Sequence, residues 1–130
     1  MAITLATDTR TAMADACVDL ADAGEGAAYV DILDVDGETV LASIELADPS
    51  FGDAVAGVAT ALGVPKSALA IAAGIATTFR LYNSDDAEVF RGSVGLDPPG
   101  TADAIITNVN LNIGDPVGIT AFTFTQPAGG

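Results

Sequence analysis

Between Ile105 and Ile113 every second residue is apolar or Thr, and three asparagines stand between them. Ile105, Thr107, Val109, Leu111 and Ile113 share one phase, with Asn108, Asn110 and Asn112 in the other. A period of two belongs to a β-strand, whose successive side chains point to opposite faces. The first set is expected to face inward and the asparagines outward. Similar patterning recurs along the chain. Ala28, Val30 and Ile32 alternate with Tyr29, Asp31 and Leu33, and Asp36-Gly37 marks a tight turn into Glu38–Leu46, which predicts a hairpin. Ile75, Thr77, Phe79 and Leu81 share a face, with Ala76, Thr78, Arg80 and Tyr82 on the other. The Asn83–Asp86 turn leads to Phe90, Gly92, Val94 and Leu96 on one face of the next strand, and Asp97-Pro98-Pro99-Gly100 breaks the pattern. After Gly114-Asp115-Pro116, Val117, Ile119 and Ala121 keep one phase while Phe122 and Phe124 take the other. Such a slip predicts a bulge near Ala121, or a strand that changes partners.

The N-terminal part reads differently. After the apolar lead Met1–Ala6, Thr7 and Asp8 offer N-caps for a helix over about residues 8–23, closed by Gly24. Met13, Ala16, Cys17 and Leu20 form its apolar stripe, with Asp15, Asp19 and Asp22 on the other side. Cys17 reads as a small core residue. Phe51–Leu62 stays open: Phe51, Val55, Val58 and Leu62 fit a helical face, but Gly52 and Gly57 weaken a helix. With about six to eight short strands and regular turn signals, the expectation is a single mainly β domain over residues 1–130. Its expected form is an antiparallel β-sandwich, jelly-roll-like, with one N-terminal helix and a flexible tail at Gln126–Gly130.

Charge excludes more than it suggests. Eighteen Asp and Glu stand against four bases (Arg10, Lys66, Arg80, Arg91), a formal charge of −14. Nucleic-acid binding rests on Lys and Arg neutralising phosphates, so no nucleic-acid partner is expected, and anionic membranes repel such a surface too. A saline environment or GC-rich codon usage would both produce this bias. The single cysteine rules out an internal disulfide, and the absence of His removes the commonest general base and metal ligand. No apolar run approaches the ~18 residues of a membrane span, and no signal-like start is present. A soluble product of the cytoplasm is expected.

Candidate sites for chemistry fail on spacing. Asp31, Asp34, Asp36, Gly37 and Glu38 resemble a calcium loop, but the acid positions do not fit an EF-hand, and a strand end with a hairpin turn explains them. Without His there is no Ser/His or Cys/His pairing, and phosphate-binding glycine patterns are absent. The reading is no enzyme, no catalytic residues, no cofactor and no metal. Arg80 and Arg91 flank the Asn83–Asp86 turn and can face each other, either in surface ion pairs or as anchors to a neighbouring subunit.

The run Gly74-Ile75-Ala76-Thr77-Thr78-Phe79-Arg80-Leu81-Tyr82-Asn83, an acidic turn, a Gly-containing strand, an Asn-rich strand, Ile113-Gly114-Asp115-Pro116-Val117 and the closing Phe122-Thr123-Phe124-Thr125 resemble a family of small tailed-phage virion proteins. The helix and Thr39-Val40-Leu41-Ala42 extend the likeness, though Thr78 stands where members usually carry Trp. The resemblance implies a head decoration or cement protein on the capsid surface of the virion. Its implied partners are the major capsid protein and copies of itself, a trimer being one symmetry for the latter. A tail tube or tail-tip subunit is the rival reading, and a carbohydrate-binding module a weaker one for want of Trp.

Overall fold

The computed structural model describes residues 4–96 and 103–125. The Asp97–Gly100 break, the tail Gln126–Gly130 and the start of the apolar lead lie outside the described residues. Among those residues there is one helix, α1 (Thr7–Ala21), followed by β1 (Tyr29–Leu33), β2 (Val40–Glu45), β3 (Val58–Thr60), β4 (Lys66–Leu69) and β5 (Gly74–Ile75). Then come β6 (Thr78–Tyr82), β7 (Glu88–Gly95), β8 (Ala104–Ile106), β9 (Asn110–Leu111) and β10 (Pro116–Thr125). The chain is mainly β with a single N-terminal helix among these residues. No described helix is long and apolar enough to cross a membrane.

The sheet is more continuous than a two-layer arrangement suggests. Seven strands follow one hydrogen-bonded path, β2-β1-β6-β7-β8-β10-β3, and β4, pairing β10 off that path, makes the sheet eight-stranded, while β5 and β9 form a small separate ladder. The path curls until β4 lies beside β2, where the Ile71 amide donates to the Leu41 carbonyl at 2.7 Å. It is mixed, because β7 and β8 run parallel with Val94 beside Ala104 and Gly95 beside Ile105. The expected first hairpin forms, with Val30 opposite Ile44 and Ile32 opposite Ala42.

All five phenylalanines meet in one cluster. Phe122 packs edge-on against Phe79 (centroids 4.9 Å, 80°) and Phe51 (5.1 Å, 65°), and Phe90 lies against Phe124 at 4.9 Å. Aromatic pairs favour this tilted geometry because ring edges are positive and ring faces negative. Val30, Ile32, Leu41, Ile44, Leu81, Val117 and Ile119 fill the fully buried space around the rings. The phase slip in the last strand is real. Pairing with β8 shifts register between Ile119 and Ala121, which turns Phe122 into the core after Val117 and Ile119. The same strand pairs β4 over Pro116–Ile119 and β3 over Thr123–Thr125, so bulge and partner change occur together.

Three local expectations are corrected. The alternation from Ile105 to Ile113 is not one strand. Ala104, Ile105 and Ile106 are buried in succession, as in a strand covered on both faces, and the chain then leaves the sheet. Asn108 Oδ1 accepts the Asn110 amide at 3.2 Å, β9 pairs β5 instead, and Ile113 ends 74% exposed in a turn. Ile75 likewise leaves the phase of Phe79 and Leu81, because it belongs to β5, and Ala76 is buried in its place. The open segment Phe51–Leu62 is an irregular hairpin. Val55 and Val58 exchange hydrogen bonds of 2.9 and 3.0 Å across Ala56 (φ 52°) and Gly57 (φ 81°), the positive-φ pair that a two-residue hairpin turn requires.

The third correction concerns the helix face. Ala14, Val18 and Ala21 are buried, while Met13 and Leu20 are 41% and 59% exposed and Cys17 is half-buried. Beside the buried stripe run Thr11, Asp15 and Asp22, one edge of the same helix. Their side-chain oxygens accept the amides of Gly57 (3.0 Å), Ala54 (2.6 Å) and Ser50 (2.8 Å), so α1 holds the irregular hairpin through main-chain donors that no ladder uses. The helix N-terminus at Ala6 has no side-chain cap. Past its C-terminus, Gly24 has φ +95°, and a Cβ there would collide with Ser84 Oγ, so both backbone and space demand glycine.

Chemical denaturation should separate these roles. Phe122→Ala is expected to cost about 3–5 kcal/mol and Val18→Ala about 2 kcal/mol, while Leu20→Ala stays within about 0.5 kcal/mol. Equal losses for Val18→Ala and Leu20→Ala would contradict the observed helix face.

Candidate interaction surface

Exposed aliphatic residues gather at one end of the curled sheet. Three connections meet there: the β1–β2 turn, the stretch from β4 through β5 to Thr77, and the stretch from Thr107 through β9 to Asp115. Val35, Leu69, Ile71, Ile75 and Ile113 project from this rim, all but Ile75 more than half exposed. Single exposed apolar residues are ordinary, whereas five carried on neighbouring, hydrogen-bonded connections make a candidate interaction surface.

The loops beneath these side chains are tied together. Asp34 Oδ1 accepts the amides of Val35 (2.8 Å) and Ile75 (3.0 Å), and the Asp34 carbonyl accepts the Thr77 hydroxyl at 3.1 Å. Ala70 and Asp115 join β4 to the last turn through Ala70 N–H to Asp115 O and Gly114 N–H to Ala70 O, each 2.8 Å. Asp115 Oδ2 also accepts the Asn112 amide at 2.9 Å, and Ala76 donates to Val109 at 2.8 Å. Ala70, Ala76 and Leu111 lie buried below. Gly74 permits the closest approach, since a Cβ there would stand 2.8 Å from the Asp34 carboxylate and 2.9 Å from Leu41 Cδ2. The aliphatics therefore sit on a fixed frame.

The sequence pattern puts Ile113 inward and Ile75 on the face of Phe79 and Leu81, and gives no sign of the rim. The missed signal was turn chemistry: the Asn108 and Asp115 side chains accept the amides of Asn110 and Asn112, a habit that pulls a chain out of a ladder.

The acidic segment beside the rim is structural. Asp36 Oδ1 accepts the amides of Glu38 and Thr39, both at 2.9 Å, and Oδ2 accepts the Thr39 hydroxyl at 2.6 Å. Those bonds, the hydroxyl's first, hold its carboxyl at a pKa of about 2. Asp31 is on β1, opposite Arg80. The described residues contain no group of three or more side chains able to hold a metal ion.

Arg80 and Arg91 do face each other, as direct cross-strand partners on β6 and β7. Like charges in that position repel, and Glu88 lies between them, 2.9 Å from Arg91 Nε and 3.9 Å from Arg80 Nε. Arg80 also donates to the Gly37 carbonyl at 2.9 Å, so it braces the β1–β2 turn. At the opposite end, Tyr29 stacks on Tyr82 (5.1 Å, 16°) and donates to Asp86 at 2.7 Å. Burial, with that bond, pushes its phenol up to about 12. Two concavities, of about 370 and 210 Å³, share Phe79 and Arg91 in their walls. The smaller also reaches Asp103, whose carboxylate is engaged by the Ser93 amide (3.0 Å) and hydroxyl (3.3 Å). No family model matches the chain, and no curated protein or solved structure does either.

Acid titration tests the turn. Asp36 has a folded pKa depressed below its unfolded value, so its contribution is full above the unfolded pKa and is lost as pH falls from about 4 to about 2. The stability gap between the native chain and Asp36→Ala should therefore close over that window. A gap independent of pH would refute the assigned bonds. Gly74→Ala should shift amide resonances of Val35 and Ile75 and lower stability, because Asp34 must move.

Proposed function

We propose that this chain is a non-enzymatic structural protein of a tailed-phage virion, a decoration or cement protein that binds the capsid lattice. The observation that carries the reading is the apolar rim: five exposed aliphatics on a hydrogen-bonded frame, on a chain whose charge is −14. A rigid apolar surface gains free energy when another protein covers it, and little ordering entropy opposes that gain. The resemblance of the 74–125 region to small virion proteins supplies the kind of partner, the major capsid protein. The acidic remainder fits a role away from packaged DNA, since phosphates repel it. Copies of the chain occupy repeated positions on a symmetric lattice, so any self-association follows the lattice symmetry.

Thermal disruption of empty heads lacking the chain, measured with and without added purified protein, tests this directly. Saturable binding with a raised disruption temperature is expected. Identical melting and no co-sedimentation would remove the cement role, and recovery of the chain with purified tails in place of heads would move it to the tail.

A further inference from the structure

We infer that the rim docks on a protein surface that is itself aliphatic at the centre and ringed by Lys or Arg, and not on a second copy of this chain; this rests on the assembly reading above. The rim's charge singles out that partner. The three connections that form it, residues 34–39, 69–77 and 107–115, contain no Lys or Arg and four acids: Asp34, Asp36, Glu38 and Asp115. The acids border the aliphatics: Asp34 bonds the Val35 and Ile75 amides, and Asp115 the Asn112 amide next to Ile113. Asp36 is held ionised by three hydrogen bonds. Arg80 donates to the Gly37 carbonyl and lies 3.9 Å from Glu88, so a single base reaches these connections by a hydrogen bond against their four acids.

Two copies meeting rim to rim would double the carboxylates around one apolar contact and bring two chains of charge −14 together. Like-charge juxtaposition at an interface opposes association, and salt relieves it. A basic-ringed partner gives the opposite sign. Attraction across the border speeds encounter and weakens as salt rises, while the aliphatic centre supplies affinity that salt does not screen.

The probe is a synthetic amphipathic helix with a Leu face flanked by Lys, with a Leu/Glu helix of the same pattern as control. Binding is read by fluorescence anisotropy and methyl NMR on the full chain at low and high salt. The Leu/Lys helix should bind, shift the methyls of Val35, Leu69, Ile71, Ile75 and Ile113, and weaken with added salt. Ile71→Asn and Ile113→Asn should each reduce affinity on the order of tenfold, as for central interface anchors. Both side chains are exposed, so both variants should keep the native circular dichroism spectrum. Glu45→Gln, a charge removed at the far end of β2, should change little. Equal binding of the Leu/Glu helix, shifts spread over the acidic surface, or a loss with Glu45→Gln equal to that with Ile113→Asn would each overturn the inference. So would a dimer strengthened by salt and broken by Ile113→Asn. The same variants on empty heads separate the two proposals. Undiminished head binding by Ile113→Asn sinks the rim and spares the virion role, while no head binding by the native chain, with rim-specific peptide binding intact, does the reverse.

Discussion

The register slip in β10 between Ile119 and Ala121 is the constraint on which the interior depends. Without it, a strand keeping the phase of Val117 and Ile119 would send Phe122 outward, because one residue of slip moves every later side chain to the other face. Phe122 is fully buried and touches the rings of Phe51, Phe79 and Phe90, which reach it from three separate parts of the chain. In a core otherwise made of Ala, Val, Ile and Leu, these rings supply the largest buried volumes. The same strand pairs β4 over Pro116–Ile119, β8 across the slip from Ile119 to Phe122, and β3 over Thr123–Thr125.

The carboxylates divide into those that build and those that coat. Asp15 and Asp22 accept loop amides, Asp34 and Asp36 shape a turn, Asp103 bonds Ser93, and Asp115 closes the last turn. Short Asp side chains suit this because they reach main-chain donors close to their own backbone without immobilising a long stem. An excess of Asp over Glu therefore serves irregular connections as well as surface charge. Irregular segments such as 50–57 carry amides that no ladder satisfies, and helix-borne acceptors complete them.

What could be seen in the sequence follows the same division. The hairpin around Asp36-Gly37, the strand containing Phe79 and Leu81, the cross-strand arginines and the slip before Phe122 were all legible, because each depends on period or on turn residues. The helix was legible as a helix, but its buried face was not. Met13-Cys17-Leu20 and Ala14-Val18-Ala21 both satisfy a 3.6-residue period, and larger side chains make the first look stronger. The sheet takes the second because small residues allow close approach, and because Thr11, Asp15 and Asp22 on that side meet unpaired amides. The run from Ile105 to Ile113 misled for a related reason. Alternation says that a segment can be a strand, and it does not say that the segment stays in one ladder.

That limit bears on the rim. Ile75 and Ile113 keep strand-like phase in the sequence, yet their own segments pair outside the main sheet or turn away from it. The main-chain hydrogen bonds that remove them from the core also fix their exposed positions, so exposure here is a property of an ordered frame and not of a frayed end. An aliphatic surface held out in that way contributes little to folding, and forgoes stabilisation of up to about 1.5–3 kcal/mol per side chain that full burial would give. Gly74 and Asp34 together maintain the arrangement at a position where a Cβ would disturb it. Carboxylates at its border would crowd any contact between two rims. Apolar centre and acidic border thus act in opposite directions on self-association and in the same direction on a basic partner.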